Sequence, residues 1–359
     1  MMKTALFTPG PGNTTNKVKS ALCCDIGTRT GSMTALTKKL LTQIKDVAEC
    51  GEDYEVIPLQ GSGTFAVEGM LTSFACMQRH LLVAINGPYG ERIARICAIH
   101  GIRHSVMRSS PLNPLDPEAI DKLLSENPEI DSLVLVHFET GIGVLNPLKA
   151  ILSLAERYGV TVYADCMSSF GLLPIPFGTS LKAVVASSNK VLHGPPGLAF
   201  VVTHHSLLTA PVSPKTLALD LHAQHKEFLQ SGMWRFTPPV QIVAALSCAI
   251  VEYFEKGGRN ARFAHYALLT AIIESGLRKL NLHPLVEEKT PFITTYVIPD
   301  AMTEGDINRL NALLEEKAVI IYPAITGYGN GIRIGCCGDL TPEDAHKLVA
   351  LFTAFFSRS

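Results

Sequence analysis

Asp165 and Lys190 are the residues of this sequence whose types and spacing best suit chemistry. Each follows a short apolar run, Thr161 to Ala164 in one case and Leu181 to Ala186 in the other. A lysine amine condenses with an aldehyde and a carboxylate keeps a pyridine nitrogen protonated, so the pair suits a pyridoxal phosphate site. The alternative is a structural ion pair, because an aspartate and a lysine about 25 residues apart occur in many α/β chains.

The two apolar runs indicate the elements that must position this pair. Both runs have the β-branched and apolar composition of short strands that are buried on both faces of a parallel sheet. Side chains at the carboxyl ends of such strands face the ligand crevice of an open α/β sheet. The pattern therefore predicts an α/β fold in which Asp165 and Lys190 lie on the same rim of the sheet.

A glycine-rich turn, Gly61-Ser62-Gly63-Thr64, could bind a phosphate. It follows a predicted strand, Glu55 to Gln60, and leads into an amphipathic helix. Backbone N–H groups and two hydroxyls at a helix N-terminus suit a phosphate dianion, which the helix dipole also favours. We predict that these four residues form a cup for the cofactor phosphate.

The same turn also satisfies the dinucleotide fingerprint G-x-G-x-x-A, with Ala66 as its last residue. That interpretation fails further along the chain. The next apolar run, Leu81 to Ile85, ends in Asn86-Gly87 and not in the acidic residue that would hold a ribose diol. A nucleotide P-loop is excluded because the turn contains no lysine.

The amino-acid composition argues against nucleic acid, metal ions and membranes as partners of this protein. The 359 residues include 31 basic and 32 acidic side chains, so no general positive field favours nucleic acid. The nine cysteines contain no C-x-x-C, and the pair His222 and His225 has no carboxylate to complete a triad, so no metal site is predicted. No apolar run approaches the roughly 18 residues of a membrane span, and no signal core is visible. A cytoplasmic protein with reduced thiols is expected.

Eight short blocks run in order through nearly the whole chain: LFTPGP (6–11), LQGSGTFAVE (59–68), NGPYGER (86–92), VHFETGIGVLNP (136–147), DCMSSFG (165–171), SSNKVLHGPPGLAFV (187–201), WRFTPP (234–239) and RIGCCGD (333–339). Together they resemble the class V aminotransferases of pyridoxal phosphate fold type I. The resemblance implies a large domain with a mostly parallel seven-stranded sheet and a smaller C-terminal α/β domain. The predicted bounds are 1–25 for an N-terminal arm, 26–281 for the large domain and 282–359 for the small domain.

The resemblance also assigns residues to the cofactor. Lys190 would carry pyridoxal phosphate and act as the base, and Asp165 would hold its pyridine nitrogen. Tyr89 would stack on the pyridine ring, although on physical grounds alone a surface tyrosine of a turn is the better interpretation. Further contacts are implied for Thr140 and Ser187, and Thr237 would reach the phosphate bound to the neighbouring subunit. This last assignment implies a homodimer with shared active sites.

Substrate contacts follow from the same resemblance. Arg333 lies in an apolar strand, where a salt bridge is the ordinary explanation, but in the family it would clamp the acid group of both substrates. Thr8 and Gly10 belong to an arm that lies over the active site in relatives; the alternative is an ordinary turn. Arg29 matches an arginine often present in relatives and is assigned to the substrate, although the acidic residues that commonly follow it are missing here.

Within the class V aminotransferases, the eight blocks most resemble enzymes that transaminate 2-aminoethylphosphonate with pyruvate. This resemblance implies that the products are phosphonoacetaldehyde and alanine. Gly141 and Ile142 stand where relatives commonly carry hydroxyl residues. An alanine- or serine-glyoxylate or -pyruvate aminotransferase therefore stays an alternative. A non-catalytic protein on this fold is a further alternative. The argument against it is that all the expected functional residues are present: Asp165, Lys190, Thr237 and Arg333.

Overall fold

The computed structural model describes residues 3–210, 214–287, 290–299, 302–323 and 331–357. In chain order the strands are β1 Ala5–Leu6, β2 Tyr54–Gln60, β3 Leu81–Ile85, β4 His104–Arg108, β5 Ser132–Val136, β6 Phe138–Glu139, β7 Val144–Leu145, β8 Thr161–Asp165, β9 Leu181–Ser187, β10 Leu198–His204, β11 His283–Pro284, β12 Ile293–Val297, β13 Val319–Ile320, β14 Tyr322–Pro323 and β15 Gly331–Gly335. The helices are α1 Asn16–Ala21, α2 Gly31–Ala48, α3 Gly63–Ser73, α4 Pro88–Ile99, α5 Pro117–Glu126, α6 Leu148–Arg157, α7 His205–Leu208, α8 Leu221–Ser231, α9 Val240–Glu255, α10 Gly258–Arg278, α11 Glu304–Glu316 and α12 Pro342–Phe356.

A seven-stranded sheet forms the centre of the large domain, in the order β2-β10-β9-β8-β5-β3-β4. Strand β10 runs antiparallel to β2 and β9, and the remaining neighbours pair in parallel. Parallel sheets of this kind are covered by helices on both faces, which explains why the strands are near-continuous apolar runs. The predicted α/β fold with a mostly parallel seven-stranded sheet is confirmed.

Alternate residues of the central strand β8 enter two different apolar cores. Val162 and Ala164 pack on the side that holds α2, α6 and α9, whereas Tyr163 packs with α3 and α4 on the opposite side. Each side chain points to the face opposite its neighbours because a strand repeats every two residues. The sheet is therefore held between two helical layers, and its carboxyl ends are left open for a site.

The smaller domain contains a four-stranded sheet in the order β11-β12-β15-β14, covered by α11 and α12. Helix α12 begins with a capping box, in which Thr341 and Asp344 exchange side-chain and backbone hydrogen bonds. Helix α10 packs against both α9 and α12. The domain boundary at residue 281 stays a prediction.

The N-terminal arm joins the small domain through a strand. β1 pairs in parallel with β13, and β14 pairs with β15 in the four-stranded sheet. The apolar run from Val319 to Tyr322 therefore forms two strands, because its two halves pair with different partners on either side of Ile321. The proline- and glycine-rich stretch 8–12 is irregular, as its composition predicts.

Candidate active site

A cavity of about 180 Å³ lies at the carboxyl ends of the parallel strands. Its wall combines a helix N-terminus, the ends of β8 and β9, and the turn after β6. Eight of the residues predicted from the sequence line it: Ser62, Gly63, Thr64, Tyr89, Thr140, Asp165, Ser187 and Lys190. Polar groups from distant parts of the chain thus converge on one pocket, as expected of a site at strand carboxyl ends.

Lys190 and Asp165 share this cavity. The Lys190 Nζ donates a hydrogen bond to the carbonyl oxygen of Pro9 at 2.6 Å. Burial lowers the pKa of the Lys190 amine, although the nearby Asp165 carboxylate opposes that shift. Burial also raises the pKa of Asp165 to about 6, against the opposing effects of the Met167 N–H, which donates to Oδ1 at 2.9 Å, and of Lys190. The amine is therefore shifted towards its neutral, proton-accepting form.

The glycine-rich turn opens α3 towards the cavity. Ser62 is the N-cap residue, but its side chain makes no capping hydrogen bond. A Cβ on Gly63 would lie 2.6 Å from the Met167 Sδ, so a larger residue would require the Met167 side chain to move. Gly61 does not line the cavity, but its φ of 139° forms the turn that precedes the helix. Free first-turn N–H groups and the two hydroxyls make this helix N-terminus suitable for an anion.

Arg92 lines the cavity although sequence reasoning did not identify it. Its Nη1 donates a hydrogen bond to the Thr64 Oγ1 at 3.2 Å, and its guanidinium lies 4.8 Å from the centroid of the Tyr89 ring. The signal that could have revealed it is its spacing, since residues three apart share a helix face. Arg92 therefore links the phosphate cup to the aromatic ring.

Arg333 is a buried cation that does not line the cavity itself but interacts with Tyr89, which does. Its Nε donates to the Pro323 carbonyl oxygen at 3.1 Å, whereas its Nη1 is buried without a hydrogen-bond partner among the described residues. Burial lowers the pKa of Arg333, and Tyr89 and Glu139 counteract this effect. An incompletely satisfied buried guanidinium is costly, so it is suited to an anionic ligand that arrives from outside.

The turn that follows β6 explains the departure at Gly141 and Ile142. A Cβ on Gly141 would lie 2.6 Å from the Pro88 Cγ, so a hydroxyl-bearing residue has no room without a shift. Ile142 is buried, and its carbonyl oxygen accepts a hydrogen bond from Thr295 Oγ1 in the small domain at 2.8 Å. Of these three turn residues, Thr140 alone lines the cavity.

The other predicted site residues lie outside the cavity wall. Gly10 contacts the lysine, since a Cβ at this position would lie 2.7 Å from the Lys190 Cδ. Thr8 is buried, and its hydroxyl donates to the Pro11 carbonyl oxygen at 3.0 Å. Arg29 and Thr237 are exposed. Roles in ligand binding for these four residues stay predictions.

Two features of the described residues bear on other kinds of site. Among them, no group of three or more His, Cys, Asp or Glu side chains is placed to hold a metal ion. None of the helices formed by this part of the chain is long and apolar enough to cross a membrane.

The architecture and the cavity place the chain among proteins of one fold. An alanine-glyoxylate aminotransferase from Nostoc sp. superposes with a TM-score of 0.90 at 21% identity, covering 99% of this chain and 96% of the other. A phosphoserine aminotransferase from Trichomonas vaginalis, solved with bound PLP, superposes with a TM-score of 0.81 at 15% identity, covering 98% of this chain and 100% of the other. The fold is that of the pyridoxal phosphate enzymes of fold type I.

Sequence comparison narrows the fold to a family. A family model described as "Aminotransferase class-V" matches residues 15–323. The chain is 35% identical over 353 residues to a 2-aminoethylphosphonate–pyruvate transaminase of Pseudomonas fluorescens, covering 96% of this chain and 94% of that relative. The chain belongs to the class V aminotransferases. The family resemblance predicted from the eight sequence blocks is confirmed.

Proposed function

We propose that this enzyme uses pyridoxal phosphate to transfer the amino group of 2-aminoethylphosphonate to pyruvate, giving phosphonoacetaldehyde and alanine. The observation that carries the proposal is Arg333, a buried guanidinium whose Nη1 is unpartnered among the described residues and which interacts with Tyr89 of the cavity wall. The name and coverage of the relative from Pseudomonas fluorescens support the same substrate pair.

The residues present fit the cofactor. The turn Gly61-Ser62-Gly63-Thr64 offers a helix N-terminus and hydroxyls to a phosphate, and Arg92 adds a positive charge beside it. Tyr89 supplies an aromatic face, and Asp165 supplies a buried carboxylate for a pyridine nitrogen. When bound, pyridoxal phosphate supplies an aldehyde that exchanges with the amino group and a ring that accepts electrons from the donor carbon.

Lys190 moves the proton in this proposal. Its burial favours the neutral amine, so the Nζ can take a proton from the donor carbon and return it during the second half of the cycle. The Asp165 carboxylate favours positive charge at the pyridine nitrogen, which is needed for the ring to accept electrons. Ser187 and Thr140, which line the same cavity, would fix the orientation of the bound molecule.

Arg333 binds the acid group of each substrate in turn. The donor carries a phosphonate and no carboxylate, whereas pyruvate carries a carboxylate. The guanidinium presents a fork of N–H donors that matches either group. A single cation can therefore orient both substrates, and Thr8, Gly10 and Arg29 of the N-terminal region would complete the binding site.

The proposal includes a homodimer with shared active sites in a cytoplasmic setting. Thr237 is exposed and lies outside the cavity wall of its own chain, and its neighbour Phe236 is also exposed, as is Phe65 beside the glycine-rich turn. Exposed aromatic side chains are typical of an interface. All nine cysteines are free thiols, which is usual in a reducing compartment.

The first test mixes the cofactor-loaded protein with 2-aminoethylphosphonate in the absence of any keto acid. We expect loss of the visible absorption band of the bound cofactor, release of phosphonoacetaldehyde, and recovery of the band when pyruvate is added. Lys190→Ala is the matched control and should show no turnover. A band that persists with this amine but is lost with alanine or serine would establish the alternative donors, and a protein that binds no cofactor would refute the proposal.

A further inference from the structure

Glu139 is a buried carboxylate that neither the family comparison nor the sequence assigns to a role. It ends β6, has no exposed surface, and reaches the N-terminus of α4. Its Oε2 accepts a hydrogen bond from the Tyr89 N–H at 3.1 Å, and the Gly90 N–H also donates to this carboxylate. Its Oε1 accepts from the Gly141 N–H at 2.8 Å. One side chain thus joins a helix start to the turn after β6.

Helix α4 depends on this acceptor because it has no cap of its own. Its N-cap residue is Gly87, which carries no side chain, and its first residue is Pro88, which carries no N–H. Tyr89 and Gly90 therefore hold free first-turn donors, and a buried helix end needs acceptors for them. The Glu139 carboxylate supplies these acceptors and places negative charge at the positive end of the helix dipole.

The absence of a side chain at residue 87 is what admits Glu139. A Cβ on Gly87 would lie 2.3 Å from the Glu139 Cγ, so a conventional capping residue and Glu139 cannot both be present. The backbone of Gly87 is extended, with φ of 173°, a conformation that any residue adopts. A glycine is therefore needed at residue 87 because the Glu139 side chain leaves no room for a Cβ, and not because of its backbone conformation.

Two groups of the site depend on the helix that Glu139 caps. α4 carries Tyr89 and Arg92, both of which line the cavity. The Arg333 guanidinium donates a hydrogen bond to the Tyr89 hydroxyl oxygen, and the nearby Glu139 carboxylate also raises the pKa of that arginine against its burial. Asp165 is the other carboxylate that acts on Glu139. Glu139 therefore lies close to the start of α4, to Tyr89 and to the Arg333 guanidinium.

We propose that Glu139 is a positioning residue of this active site, which caps α4 from the adjacent strand and thereby fixes Tyr89 against the cofactor and against Arg333. The proposal rests on the proposed function, because it assigns the cofactor and the acid group to these residues. It requires no contact between Glu139 and either substrate.

The first test is Glu139→Ala, measured in the cofactor-loaded protein. We expect the affinity for pyridoxal phosphate to fall roughly tenfold, since a lost helix cap commonly has an effect of this size. The circular dichroism band of the bound cofactor should weaken, because its sign and intensity report the ring environment. KM for both substrates should rise more than kcat falls. Glu129→Ala, at an exposed glutamate, is the control and should leave the cofactor affinity, the dichroism band, KM and kcat unchanged.

A compensating substitution separates positioning from general damage. In Glu139→Ala the space beside residue 87 is free, so Gly87→Asp can place a capping carboxylate on α4 itself. The double variant Glu139→Ala/Gly87→Asp should recover cofactor affinity and the dichroism band. Gly87→Asp alone should lose both, since its Cβ would clash with Glu139.

The outcomes distinguish this proposal from the proposed function. If the unmodified protein transaminates 2-aminoethylphosphonate but Glu139→Ala keeps its cofactor affinity, dichroism band and KM values, the positioning role is wrong and the function stands. Failure of the double variant to recover any of the loss, while its thermal unfolding matches that of the unmodified protein, would also overturn the positioning role. If the unmodified protein binds no pyridoxal phosphate, the proposed function fails first.

Discussion

The Lys190 Nζ lies 2.6 Å from the carbonyl oxygen of Pro9, so the N-terminal arm holds the amine on which the proposed chemistry depends. The arm stays close to the lysine at the next residue as well. Gly10 has φ of 109°, in the region that side chains rarely adopt, and any Cβ would meet the Lys190 side chain. The lysine is therefore confined by backbone of the N-terminal arm, 181 residues earlier in the sequence.

Substituting Gly10 should disturb the lysine and the fold together. In Gly10→Ala we expect a free energy of unfolding lower by about 1–3 kcal/mol, because the positive φ becomes strained. Turnover should fall at least roughly tenfold, since a displaced amine loses the geometry needed for proton transfer. Denaturant unfolding and steady-state kinetics check both effects. Gly31→Ala, where a Cβ meets nothing within 4 Å, is the control, and equal behaviour of the two variants would contradict the prediction.

We expect Arg333 to be needed for substrate binding and to lower the stability of the fold. Arg333→Ala should raise KM for both substrates by roughly 10- to 100-fold, the effect of losing a charge-assisted bidentate contact. Arg333→Met should be equally impaired yet should unfold with a free energy higher by about 1 kcal/mol, because a buried cation is replaced by an apolar side chain. Single-turnover spectra for each substrate and denaturant unfolding provide the measurements. Unchanged half-reactions in Arg333→Ala would show that another group binds the acid.

Thr237 should act in the neighbouring subunit. Thr237→Asp places negative charge where a phosphate is expected, so this variant and Lys190→Ala should each be inactive as homodimers. In a mixed dimer of the two, one site receives an intact Lys190 from one chain and an intact Thr237 from the other. That dimer should recover about half of the unmodified activity, since one of two sites is complete. No recovery in purified mixed dimers would place Thr237 in the site of its own chain.

Acid should destabilise the fold through His137. This side chain is buried, its Nδ1 lies 3.0 Å from the Ser169 Oγ, and burial lowers its pKa to about 4. A folded-state pKa below the ordinary value of 6.5 gives stability that is present above pH 6.5 and lost as pH falls towards 4. The loss should be about 3 kcal/mol.

The histidine contribution can be isolated by comparing unfolding free energies from pH 7 to pH 4 in the unmodified protein and His137→Asn. The asparagine keeps a polar atom for Ser169 but does not titrate, so the difference between the two curves should narrow as pH falls. Asp165 and Glu139 act in the opposite direction, because burial raises their pKa values, but they are present in both proteins and cancel. Parallel curves would show that His137 is not responsible.

Sequence patterns predicted the rim of the site because two apolar runs mark buried strands, and Asp165 and Lys190 follow the carboxyl ends of those runs without knowledge of any long-range contact. Glu139 was not identified, since its role depends on a helix start 50 residues earlier that lacks a cap. Helix α2 was also not identified, although Leu40, Ile44 and Val47 repeat at helical spacing. The pairing of β1 with β13 is beyond local reasoning, because two-residue strands carry almost no periodic signal.

The arm that holds Lys190 is also a strand of the small domain, and this double attachment has a mechanical consequence. β1 is bonded to β13, and the backbone at Thr8 packs so closely on Gly335 that a Cβ there would lie 2.3 Å from the Thr8 carbonyl oxygen. The small domain carries Arg333 on β15, two residues before Gly335. A displacement of the small domain should therefore also displace Pro9, whose carbonyl oxygen accepts the hydrogen bond from Lys190. In the proposed function, binding of the acid group by Arg333 and positioning of the Lys190 amine would therefore be coupled through the N-terminal arm.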